Sequence, residues 1–246
     1  MLIGHSQENA QKSAQQIMVF ETRLANATQT RLEQRDPYLT YNKVNLNEMQ
    51  KLSPEIDWKS YFTGLGIEVP ADFVLDNPKF FAEISKMLKE ISIEDWKNYF
   101  TWNLIKGYSS YLSNEFVNAE FDFYSKKLSG NNADKPRWQK VSNSANFAVG
   151  ELVGEIFVEQ NFPPVAKQKM LDLIANLKVA FRERISNLTW MSAETKKKAL
   201  EKLETIVVKV GYPDKWRDYS KLEITRDCYA KNIKNAAIFS FRVNME

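Results

Sequence analysis

The clearest pattern of apolar and polar positions lies between Ser192 and Gly211. Apolar side chains recur there at the three- and four-residue spacing of one helix face, while lysines and glutamates fill the other positions. Ser192 is a suitable N-cap, because its hydroxyl can accept a hydrogen bond from a backbone N–H of the first turn. Gly211 suits the left-handed position that ends many helices, and Pro213 forbids continuation. The pattern predicts an amphipathic helix from Ser192 to about Val210, whose apolar face is formed by Ala199, Leu200, Leu203, Ile206, Val207 and Val210.

The first half of the chain shows the same helical period. Residues 6–35 are predicted as one long helix that ends at Asp36 and Pro37. Asn45 and Glu48 form a capping box for a short helix. Further helices are predicted to begin at Ile56, at Asn77 and after the cap Ser92. In between, residues 67–75 are typical of an extended segment or a short edge strand.

The second half is predicted to contain longer helices, over 145–160, 165–188 and about 227–241. The helix at 165–188 should form an antiparallel hairpin with the helix that follows Ser192. Its inner face would be formed by Leu171, Ile174, Leu177, Phe181, Ile185 and Leu188. We therefore expect a mainly α fold, a multi-helix domain of long antiparallel helices with at most a short strand or hairpin.

Glycines and prolines suggest how the helices are arranged. The run S-G-N-N-A-D-K-P at 129–136 is the clearest loop and predicts a possible boundary between two lobes. Gly150 and Gly154 lie four apart in a predicted helix, without the lysine of a phosphate-binding loop. We interpret them as a place where a neighbouring helix approaches closely.

Aromatic residues are dense between Trp96 and Leu128. They could form a wall for ligands or stacked bases, or a thick core between helices. We favour the core, because interleaved basic residues or a glycine-rich pattern do not accompany the rings.

The composition gives no support to a nucleic-acid-binding protein or to a membrane-spanning one. The net charge of +3 from 34 basic and 31 acidic residues gives no reason to expect a nucleic-acid partner. We also predict no membrane span and no signal peptide. Cys228 is the only cysteine, so an intrachain disulfide is impossible, which fits a reducing compartment or an exported bacterial protein.

The residues needed for common catalytic sites are missing. A catalytic zinc site needs three protein ligands and usually the H-E-x-x-H pattern, whereas His5 is the only histidine. Cys228 has no neighbouring histidine that would activate its thiol. Glu21 interrupts an apolar helix face, and we interpret it as paired with a base and not as a catalytic acid. We predict no catalytic residue and no metal ligand in these residues.

Several residue types at fixed spacing resemble the neprilysin family of zinc metallopeptidases. They are Trp190, Met191, Thr195, Ala199, Lys202, Gly211, Tyr212 and Pro213. Trp58, in a P-x-I-D-W run, and Trp138, after Arg137, are similar to the family as well. We expect structural roles for these ten residues, and leave the substrate-binding residues open.

The resemblance implies that residues 1–246 are part of the helical, non-catalytic N-terminal domain of a bacterial metallopeptidase, exported to the periplasm or the medium. The zinc cofactor would belong to a downstream catalytic domain of the parent chain, and the substrates would be small peptides. The helical part would restrict substrate size and dock on the zinc domain, with no peptidase activity of its own. The alternative is a stand-alone helical scaffold or binding protein.

Overall fold

The computed structural model describes residues 1–245 and confirms a mainly α fold. The described helices are α1 Gln7–Ala27, α2 Pro37–Thr40, α3 Leu46–Leu52, α4 Trp58–Leu65, α5 Pro78–Glu90, α6 Ile93–Tyr108, α7 Asn114–Glu120, α8 Arg137–Asn161, α9 Pro164–Asn187, α10 Ala193–Glu204 and α11 Tyr229–Met245. Two short strands, β1 Asn42–Val44 and β2 Phe73–Leu75, pair antiparallel. Residues 121–128 continue α7 as π-helical turns.

The chain divides into two compact units, Met1–Asp134 and Lys135–Asn244. The core of the first unit consists of two clusters. Phe20 of α1 packs with Met87 of α5 and Trp96 of α6. Met49 and Trp58 pack with Leu75, at the end of β2. Helices α1, α5 and α6 therefore form one layer, and the strand pair with α3 and α4 forms the other.

Polar contacts fix α1 on its neighbours. Arg23 donates to Glu83 and Glu90 of α5, both at 2.5 Å, and Gln16 donates to Asp95 of α6 at 2.6 Å. These hydrogen bonds raise the pKa of Arg23 above its ordinary value, and the bond to Glu83 has the larger effect. The guanidinium thus holds two turns of α5 against α1.

The second unit contains the predicted helix hairpin. Three contacts join α9 to α10 and the residues just after it. Lys196 Nζ donates to Ser186 O at 2.9 Å, and Arg182 pairs with Glu204. Lys178 Nζ donates to Ile206 O at 3.3 Å. The residue numbers of these partners fall along α9 as they rise from Lys196 to Ile206, so α9 and α10 are antiparallel. The buried apolar residues here are Leu203 of α10 and Ile233, Ala236 and Phe239 of α11.

The two longest helices of this unit, α8 and α9, have no buried side chain, and every residue of both is described. The predicted inner face of α9 is wrong in part, because Leu177 is 49% and Phe181 56% exposed. Exposed apolar residues instead form a stripe on each helix, since their spacing keeps them on one side. The α8 stripe is Leu152, Val153, Ile156 and Phe157, and the α9 stripe is Met170, Leu173, Leu177 and Phe181.

Two predicted helices are shorter than expected. Helix α10 ends at Glu204 instead of continuing to Val210, because the run T-I-V-V-K-V is rich in β-branched residues, which lose side-chain freedom in a helix. Helix α1 ends at Ala27, not at Arg35. Asp36 then caps α2, whose first residue is Pro37, so this pair starts a helix instead of stopping one.

The interpretations of Gly150 and Glu21 are also wrong. Helix α8 has a kink at Val149, with φ −139° and ψ 37°, and no described atom lies within 4 Å of a Cβ built on Gly150. The atoms facing Gly154 belong to the Trp216 indole, at 3.7 Å, not to a neighbouring helix. Glu21 accepts a hydrogen bond from the Tyr99 hydroxyl at 3.2 Å instead of pairing with a base.

Candidate functional site

Among the family-like residues, Gly211–Tyr212–Pro213 form a turn that is held by several contacts. We name it the GYP turn. Lys167, in the first turn of α9, reaches it with a side chain that is only 15% exposed. Its ammonium donates to Tyr212 O at 2.8 Å and to Asp214 Oδ1 at 2.7 Å, and lies 4.3 Å from the centre of the Tyr212 ring. Two hydrogen bonds and a cation–π contact thus join α9 to the GYP turn.

Gly211 has a geometric reason to be glycine. Its φ is +67°, in the left-handed region that other residues rarely adopt. A Cβ at this position would lie 2.8 Å from Phe162 Cε1, so the Phe162 ring occupies the space of the missing side chain. The predicted positive φ is present, but it serves a turn packed on Phe162 and not the end of α10.

Trp216 connects the GYP turn to α8. Its ring stacks on Tyr212 with centres 6.0 Å apart and lies against Gly154. Glu151 of α8 accepts from the Arg217 backbone N–H at 2.8 Å, and its own N–H faces the Tyr219 hydroxyl at 3.4 Å. The segment after the turn is therefore fixed along the kinked half of α8.

The other family-like residues lie apart from this turn. Trp58 is buried in the first unit and donates from Nε1 to Ser53 Oγ at 2.8 Å. Trp138 is 69% and Trp190 77% exposed, although both are large apolar residues. Thr195 N donates to Ser192 Oγ at 3.2 Å, which confirms Ser192 as the cap of α10.

The remaining positions are part of α10 or of the connection that leads to it. Met191 and Ala199 are half-buried, and Lys202 is exposed. They belong to the predicted structural set, which the structure does not bring together into one pocket.

The perturbed and clustered titratable groups of the described chain can be compared with what a metal site needs. Among residues 1–245, no group of three or more His, Cys, Asp or Glu side chains is placed to hold a metal ion. Burial, and next the charge of Glu21, raise the pKa of Tyr99, which stacks on Phe20 with ring centres 4.2 Å apart. This hydroxyl stays protonated and donates within the helix layer. No described helix is long and apolar enough to cross a membrane.

Comparison with known sequences identifies the family. Residues 1–213 match the model of peptidase family M13, N-terminal domain. The chain belongs to peptidase family M13. It is similar over its whole length to human endothelin-converting enzyme 1, at 30% identity, and to Neprilysin-3 of Drosophila melanogaster, also at 30%. It spans about a third of the length of these relatives, 33% and 34% respectively.

Two solved structures have the same fold. The inhibitor complex of the zinc metalloprotease Zmp1 of Mycobacterium tuberculosis matches 98% of the chain with a TM-score of 0.86 and 33% identity, and the chain covers 37% of it. PepO of Lactobacillus rhamnosis matches 96% with a TM-score of 0.82, and the chain covers 39% of it. At 21% identity the PepO match shows the fold alone. M13 members are zinc metallopeptidases, so the family implies peptide hydrolysis.

Sequence reasoning missed the residues that hold the GYP turn. No sequence pattern assigned a contact to Phe162, Lys167 or Trp216. A lone lysine carries no signal of its partner when that partner lies 45 positions away along the chain. The one available sign was the group Gly211–Tyr212–Pro213, because glycine and proline close together mark a turn.

Proposed function

We propose that this chain is the helical part of an M13 zinc endopeptidase that docks on a downstream zinc domain and forms a wall of the chamber that admits small peptides. The zinc ligands and the catalytic base would lie in that downstream domain. The chain alone would hydrolyse no peptide.

The observation that carries the proposal is the pair of exposed apolar stripes on α8 and α9. Their side chains are 40–60% exposed, although they have the helical spacing of a buried face. Contiguous apolar surface on a protein marks an interaction site. A partner that covered both stripes would bury apolar surface that the second unit leaves exposed.

The length of the relatives supports a partner on the same gene product. The chain spans about a third of the curated relatives it matches and 37–39% of Zmp1 and PepO. A zinc domain on the same gene product is the partner that would be present at high effective concentration.

A split-protein experiment tests the proposal. The downstream reading frame of the gene is expressed separately, mixed with this chain, and assayed for hydrolysis of peptides of increasing length. We expect a one-to-one complex that cleaves short peptides and excludes folded proteins. Neither half should do so alone.

Two neighbouring residues on α9 give matched variants. Leu177→Asp places a carboxylate in the α9 stripe, whereas Asn176→Asp places the same charge on an exposed position beside it. We expect Leu177→Asp to weaken the complex by at least about tenfold, because an unpaired charge would be buried, and Asn176→Asp to leave it unchanged. An absent downstream frame, or equal effects of both variants, would contradict the docking role and favour a stand-alone scaffold.

A further inference from the structure

A cleft of about 560 Å³ opens in the first unit, between the end of α1 and the start of α5. This volume is in the range of small-molecule sites. Its polar lining offers more hydrogen-bond acceptors than donors. The free donors are the second N–H of each glutamine amide and the amide of Asn77.

The two threonines of the cleft have no hydrogen left to offer. Thr28 Oγ1 donates to Leu24 O at 2.8 Å, and Thr40 Oγ1 donates to Asp36 O at 3.0 Å. A hydroxyl has one hydrogen and two lone pairs. What both present to a ligand is therefore acceptor capacity.

The two glutamines follow the same pattern. Gln29 Nε2 donates to Leu39 O at 3.3 Å, and Gln34 Nε2 donates to Gln29 O at 3.2 Å. Within residues 1–245 neither amide oxygen accepts a side-chain or backbone hydrogen bond. Each glutamine amide therefore keeps its oxygen and one N–H available to a ligand.

Asp76 adds negative charge to this group of acceptors. In the described part of the chain its carboxylate forms no ion pair, even with Lys79 one helical turn away. Phe80 and Phe81 line the same cleft, and aromatic faces attract cations. Acceptors, one carboxylate and aromatic rings together suit a ligand that is rich in N–H donors and positively charged.

We propose that this cleft binds a primary ammonium or guanidinium group, carried either by a small free amine or by a lysine or arginine side chain of a peptide. A cation is attracted to the Asp76 carboxylate, whereas an anion is repelled by it. None of the residues that line the cleft belongs to the stripes on α8 and α9.

The test is an NMR titration of the 246-residue chain that follows the side-chain amides of Gln29 and Gln34. The probes are agmatine and N-acetyl-arginine methylamide, with N-acetyl-citrulline methylamide as a neutral probe of the same shape. We expect saturable shifts with both cations and weaker binding of the citrulline probe. Tighter binding of agmatine would identify a free amine, and tighter binding of the arginine derivative a peptide side chain.

A pair of variants assigns the effect to the cleft. Asp76→Asn keeps the shape and removes the charge, while Glu68→Gln removes one exposed charge outside the cleft. We expect Asp76→Asn to weaken binding about fivefold, as for an exposed ion pair, and Glu68→Gln to have no effect. Unsaturable shifts, equal binding of the citrulline probe, or no effect of Asp76→Asn would overturn the proposal.

Discussion

Gly211 and Gly130 have similar backbones but different surroundings. Their φ values are +67° and +73°, so a side chain at either position strains the backbone. A Cβ at Gly130 would meet nothing within 4 Å among the described residues, whereas a Cβ at Gly211 would lie 2.8 Å from Phe162. Comparing the two therefore separates backbone strain from packing.

We predict that Gly211→Ala destabilises the protein more than Gly130→Ala, by about 1–3 kcal/mol, because the Phe162 ring must move. Urea unfolding of the two variants and the parent chain gives the comparison. Equal losses of unfolding free energy would show that the positive φ alone decides the cost. The Phe162 ring would then move aside without a measurable penalty.

Single residues that act locally were the ones predicted well. Asn45 with Glu48 forms the expected capping box, and Ser92 and Ser192 cap α6 and α10. A cap depends on a side chain and a backbone N–H within one turn, so the sequence contains both partners. Glu21 was misinterpreted because its partner, Tyr99, lies 78 positions away.

The contact between α9 and the GYP turn depends on Lys167. Its ammonium is the one group that touches the Tyr212 carbonyl, the Tyr212 ring and Asp214 together, within the described residues. Lys169, two positions later, is exposed and serves as the control.

We predict that Lys167→Met lowers the free energy of unfolding by about 2 kcal/mol, because it removes charged hydrogen bonds and a cation–π contact at a shielded position. Lys169→Met should change it little. The measurement is urea unfolding followed by tryptophan fluorescence. Similar curves for both variants would mean that the GYP turn is held by ring packing alone.

Helix type was easier to predict than helix ends. The periodicity of α9 and α10 predicted their antiparallel hairpin, which the contacts from Ser186 to Ile206 confirm. The end of α10 was wrong because Ile206, Val207 and Val210 continue the apolar period, although their β-branches oppose a helix. Periodicity reports which side is apolar, while propensity decides where the helix stops.

Across the chain as a whole, the sequence predicted the fold class and family but not which apolar faces are covered. The stripes of α8 and α9 have the spacing of core faces, and only coordinates show that they remain 40–60% exposed. Periodicity cannot distinguish a face that packs within the chain from one that awaits another domain. This difference is the basis of the proposed docking role.

The most direct test is hydroxyl-radical footprinting of Phe157 and Phe181, in this chain alone and in the protein extended by its downstream frame. Both rings are more than half exposed here, at 60% and 56%. If the stripes dock on a zinc domain, both rings should react several-fold more slowly in the extended protein. Unchanged reactivity of both rings would contradict the docking role.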